Sequence, residues 1–75
     1  MSQTFDFYDA RAREAAAEAK ATTLQNVRER SLRAEKSWRE LADHAQRVMV
    51  NRAQAEKERI DRREAEELRD AQADQ

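Results

Sequence analysis

The sequence has no glycine, no proline and no cysteine, and only four of its 75 residues are aromatic. Each shortage excludes something. Without cysteine there is no disulfide framework, no zinc finger and no thiol redox motif. Without glycine there is no phosphate-cradling loop of the P-loop or dinucleotide type. The short hairpin turns of a β-sheet draw on Gly, Asn-Gly or Asp-Gly pairs, so a sheet is disfavoured as well. No apolar run approaches the roughly 18 residues of a membrane span. The segment Met1-Ser2-Gln3-Thr4-Phe5-Asp6 lacks the basic and apolar regions of a secretory signal, and the expected location is the cytoplasm.

Large apolar side chains are also scarce. Hydrophobic residues make up 39% of the chain, but most of the apolar positions not held by Leu, Ile, Val or Phe are alanine. Leu, Ile, Val and Phe together fall below the roughly 20% at which a self-sufficient core becomes doubtful. A chain this short buries a small fraction of its surface even with good residues. Disorder is the first alternative, but it favours a high net charge and a Pro, Gly or Ser bias. Here 15 basic and 16 acidic residues leave a net charge of −1. The abundant residues are Ala, Arg, Glu and Gln, all strong helix formers. The composition predicts an all-α chain stabilised partly by association.

The apolar period carries the organisation. Phe5, Tyr8, Ala12, Ala15, Ala19 and Thr22 recur at alternating spacings of three and four. Leu24, Val27, Ser31, Ala34, Trp38, Leu41, Ala45 and Val48 do the same, and both sets read as heptad stripes. The stripes are out of phase: continuing the first one lands on Asn26, Glu29 and Arg33. That shift predicts a break at residues 21–24. Thr22-Thr23-Leu24-Gln25 there matches a capping box, with Thr22 as N-cap and Gln25 reaching back. A single continuous helix using Ala10, Ala17, Ala21 and Leu24 is the alternative.

A fold about residue 23 sets Phe5 opposite Leu41, Tyr8 opposite Trp38, Ala12 opposite Ala34, Ala15 opposite Ser31 and Ala19 opposite Val27. Aromatic then meets aromatic at the open end and small meets small in the middle, which lets two helices approach closely. The expected architecture is an antiparallel helical hairpin over 1–53, with a helix at 4–21, a turn at 21–24 and a long helix from 23. Its expected core is Phe5, Tyr8, Ala12, Ala15, Ala19, Leu24, Val27, Ala34, Trp38 and Leu41. Residues 54–75 read as a charged, solvated helical extension supported by pairs such as Glu58 and Arg62. Between these, Ala45, Val48, Met49, Val50 and Ala53 have no intrachain cover in this reading. They are the expected oligomer or partner interface, with self-association as a coiled coil or bundle, dimer or tetramer.

Chemistry-bearing residues are few. His44 is the one histidine and follows Glu40 and Asp43. The Glu-x-x-His spacing of di-metal carboxylate bundles fails, because Leu41 stands three before His44. His44 reads as a surface residue, and no metal, cofactor or catalytic residue is expected. The serines Ser2, Ser31 and Ser37 and the three threonines have no base and no oxyanion-stabilising turn to work with. Helix-surface carboxylates keep ordinary acidity, since perturbed acids need burial. The chain is expected not to be an enzyme.

Residues 28–39 carry Arg28, Arg30, Arg33, Lys36 and Arg39 against Glu29 and Glu35. Arginine suits phosphate contacts, so Arg28, Arg30, Arg33 and Lys36 are the phosphate contacts of an alternative reading, a nucleic-acid-associated regulator. They spread over about 200° of a helix, whereas a phosphate-tracking surface needs a one-sided excess. Phe5, Tyr8 and Trp38 are expected to close the hairpin, and Phe7, off the stripe, to be exposed or in an interface.

Trp38-x-x-Leu41-Ala42, preceded by Arg28 and Leu32 and by Phe7-Tyr8-x-x-Arg11-Ala12, resembles the short helical-hairpin proteins of unknown function common in alphaproteobacteria. The resemblance covers roughly residues 7–45. The chain departs from it at the turn, where Leu24-Gln25 stands in place of Asp-Pro, and at Glu35, where Ala is usual. It implies a hairpin and a bacterial cytosolic protein, and supplies no activity or site residue. The expected function is that of a small interaction or regulatory protein acting through helix-to-helix contacts, with itself and another protein as partners and no membrane. A structural spacer in a larger assembly is a further alternative.

Overall fold

A computed structural model of the chain describes residues 3–73. Those residues form two helices, α1 (Gln3–Ala21) and α2 (Gln25–Ala73), of 19 and 49 residues. There is no strand among the described residues. The molecule is a rod of 77 × 15 × 13 Å. Its length is close to that of α2 alone, since 49 residues at 1.5 Å each span about 74 Å.

Local chemistry explains both helices. Asp6 in the first turn and Lys20 in the last turn of α1 oppose the helix dipole. Ion pairs one turn apart run along both helices, Arg13 with Asp9 at 3.1 Å, Arg11 with Glu14 at 3.2 Å and Arg39 with Glu35 at 2.8 Å. In the far half of α2, Lys57 pairs with Asp61 and Arg59 with Glu56. The expected Glu58–Arg62 pair is not formed. Such exposed pairs differ by tenths of a kcal/mol, too little for spacing alone to select one over its neighbours.

Residues 22–24 interrupt the helix, and the single continuous helix is excluded by that break. The turn uses no positive φ, so it needs no glycine. The Thr22 N–H still donates to the Glu18 carbonyl at 3.1 Å, prolonging the α1 ladder. The Thr22 hydroxyl then accepts from the Leu24 N–H at 3.1 Å. The first α2 bond runs from the Arg28 N–H to the Leu24 carbonyl at 3.0 Å, which makes Leu24 the capping residue. The expected capping box is therefore not formed. Thr22 closes a tighter turn two residues long, and Gln25 points forward, donating to Glu29 at 3.2 Å.

The two helices meet at both ends of α1. Near the turn, Arg28 of α2 bonds the Ala19 carbonyl of α1. Near the start of α1, Phe7 and Tyr8 lie against Trp38. Between these points the buried residues are Ala12, Ala15 and Ala19 of α1 and Ser31 of α2, with Ala42 further out. Phe5, Tyr8, Val27, Ala34 and Trp38 are half-buried. The contact is therefore built on small side chains, with no large side chain fully enclosed.

Two expected core residues lie outside it. Leu24 is 59% exposed because it sits in the turn rather than inside a helix. Leu41 is 42% exposed, and Ala42, at 5%, takes its place. From Ser31 to Ala42 is 11 residues, three turns of 3.67, which is nearly the natural period of a straight helix. A strict heptad needs a left-handed supercoil to stay in register. With α1 only 19 residues long, α2 keeps its natural period and the seam drifts from Leu41 to Ala42.

Candidate interaction surface

Three aromatic rings, Phe7, Tyr8 and Trp38, form a cluster between the start of α1 and α2. The Tyr8 and Trp38 rings stack with centroids 5.9 Å apart and an interplanar angle of 29°. Phe7 meets Trp38 edge-on at 6.0 Å and Tyr8 at 5.8 Å. Arg11 lies over the Phe7 ring at 5.4 Å. Such pairs contribute about 0.5–1.5 kcal/mol each beyond the area they bury. Phe7 is 51% exposed, yet one edge belongs to the cluster, which its place off the stripe concealed.

Arg28 is the second fixed point. Its Nε donates to the Ala19 carbonyl at 3.4 Å, its Nη2 to the Thr22 carbonyl at 3.0 Å and its Nη1 to Gln25 at 3.4 Å. The guanidinium thus satisfies carbonyls at the C-terminal end of α1, which no helical N–H can reach. Of the four residues considered for phosphate contact, Arg28 is engaged in this way. Arg30, Arg33 and Lys36 are exposed. Lys20, Arg28 and Arg39 also border a groove along one side of the helix pair, floored by Ala16, Ala19 and Leu32.

Beyond α1 the surface changes. Ala45 and Val48 are half-buried beside the start of α1, and Met49, Val50 and Ala53 are exposed. Thr4, His44, Ala45, Val48, Met49 and Arg52 line one shallow hollow. Val50 lies in another, with Asp43, Gln46, Arg47 and Asn51. Of the five expected interface residues, Ala45, Val48 and Met49 therefore share one hollow, and Val50 lies in another. Every described residue from Asn51 to Ala73 is exposed, including Ile60 at 44% and Leu68 at 64%.

Among the described residues no group of three or more His, Cys, Asp or Glu side chains could hold a metal ion. No described helix is long and apolar enough to cross a membrane. In comparisons with protein families, curated proteins and solved structures, the chain matches none.

Proposed function

We propose that this chain is a non-enzymatic interaction protein, in which a helical hairpin carries a long helix that binds other helices. The observation that carries the reading is the uncovered half of α2. From residue 44 to 73 it has no helix beside it except the start of α1, and it presents Met49, Val50, Ile60 and Leu68 to solvent. Isolated helices are marginal in water, and most helical stability in proteins comes from packing an apolar face. A helix laid along another helix is the recognition mode that such a surface suits. Self-association is the simplest form of it, and a second protein can use the same face.

The test is size-exclusion chromatography with light scattering on protein purified without nuclease, with absorbance recorded at two wavelengths for protein and nucleic acid. The expected result is a discrete oligomer with protein-like absorbance. A species rich in nucleic acid whose assembly is lost on reversing Arg30 and Arg33 to glutamate would overturn it in favour of a nucleic-acid regulator.

A further inference from the structure

The face of α2 that α1 covers does not end with α1. Stepping 11 residues at a time from Val27 gives Trp38, Met49, Ile60 and Ala71. That spacing is the one the buried pair Ser31 and Ala42 follows. Eleven residues make three turns of 3.67, so these positions stay on one line along a nearly straight helix. Val27 and Trp38 adjoin α1, Met49 borders Thr4 at its start, and Ile60 and Ala71 have nothing over them. One flank of the line in the bare half is charged throughout, Arg52, Glu56, Arg63 and Glu67, and the other holds Ala53, Lys57, Glu64 and Leu68.

Their order is informative. Read outward from Ile60 along the charged flank, Glu56 toward the N-terminus answers Arg63 toward the C-terminus, and Arg52 answers Glu67. The face is a palindrome with its charges inverted. A second copy laid antiparallel and centred on Ile60 places its Glu67 on Arg52, its Arg63 on Glu56, its Ala71 on Met49 and its Ile60 on Ile60. In a parallel, in-register copy this flank faces the opposite flank of its partner, so the Arg52–Glu67 and Glu56–Arg63 pairs cannot form. Complementary charges of this kind fix partner and direction more than they add affinity. The wider charge pattern agrees. Residues 44–63 hold six basic and three acidic side chains, whereas residues 64–73 hold one basic and four acidic. Among the described residues Arg52, Arg63 and Glu67 have no ion pair within the chain, and Glu56 pairs only with Arg59.

We propose that two copies of this chain pair through residues 47–73 as an antiparallel two-helix contact centred on Ile60, continuing the line that α1 begins. The proposal rests on the interaction reading above and specifies its partner and geometry. α2 then has one face covered along its length, by its own α1 first and by the α2 of the second copy beyond it. Like every two-fold contact, the surface is its own complement.

Introduced thiols test the direction, because the chain has no cysteine. In the antiparallel register residue 49 lies beside residue 71 of the second copy, and the two residues 49 are about 33 Å apart, 22 residues at 1.5 Å each. The double variant Met49→Cys/Ala71→Cys is expected to give a covalent dimer with a short bis-maleimide, while Met49→Cys alone pairs but forms no covalent dimer. Cross-linking of Met49→Cys alone would overturn the proposal in favour of a parallel pair. Charge reversal tests the register. Arg52→Glu and Glu67→Arg are each expected to weaken the native dimer by about tenfold or more, and the double reversal to recover most of it. All these positions lie clear of α1's buried contacts, and circular dichroism should show unchanged helix content. A discrete oligomer of the native chain that ignores both single reversals overturns the antiparallel pairing and leaves the interaction reading standing. A native chain that stays at 8.8 kDa at every concentration overturns this pairing, whereas failure of the interaction reading needs the further finding that no protein partner is bound.

Discussion

Arg28 donates its Nε to the carbonyl of Ala19 at 3.4 Å, across the turn and nine positions back in the chain. Its Nη2 reaches Thr22 as well. A turn without glycine or proline therefore has a side chain from α2 holding the end of α1. This positive charge also lies at the negative end of the α1 dipole.

Arg28→Ala should lower the stability of the helix pair by about 1 kcal/mol, less than a buried charged hydrogen bond because the group is largely solvated. For a chain of this size that is a fall in Tm of about 4–8 °C, read by circular dichroism at high salt. Arg28→Lys keeps the charge but loses the planar fork, and should recover about half. Arg30→Ala, an exposed change with no partner, should stay within about 0.5 kcal/mol of the native chain. If Arg30→Ala proves as costly as Arg28→Ala, the carbonyl contacts are not what stabilises the turn.

Trp38 is the sole tryptophan, so its fluorescence reports directly on the aromatic cluster. Tyr8→Ala should shift its emission to the red as water reaches the exposed face of the indole. A double-mutant cycle between Tyr8→Ala and Trp38→Ala should return a coupling of about 1 kcal/mol, the scale of a stacked pair. A coupling near zero would mean that the rings are neighbours without energetic consequence.

Ala12 is fully enclosed between the helices, at 0% exposure. Ala12→Leu should drive the helices apart and cost about 1–3 kcal/mol. Ala17→Leu, on the exposed side of α1, should leave the melting temperature nearly unchanged, since leucine is almost as good a helix former as alanine. The contrast between these two equal changes isolates close approach from helix propensity.

Much of this was legible in the sequence. The phase shift between the stripes marked the break to within a residue or two, and the size matching of Tyr8 with Trp38 and of Ala15 with Ser31 falls on residues that are in contact or buried. What failed to show was geometry that residue type does not encode. Phe7 lies off the stripe but is long enough to swing an edge onto Trp38. Thr22 and Gln25 satisfy the capping pattern as letters, yet the backbone turns one bond too tightly for it. Arg28 reads as a free cation because the carbonyls it bonds are main-chain groups, invisible in a list of side chains.

Leu41 and Ala42 give the sharpest separation between pattern and structure. A heptad reading places the larger residue in the seam, and hydrophobicity alone would agree. In the folded chain the seam passes over Ala42, and Leu41 is turned partly to solvent. Leu41→Gln should then change stability by no more than about 0.5 kcal/mol, as surface substitutions do. Ala42→Gln puts a longer polar side chain into a closed contact and should cost about 1–3 kcal/mol. The reverse order would mean that α2 supercoils around α1 on the heptad after all, and that the face continued by Met49 and Ile60 is rotated away from the line on which the second copy is placed.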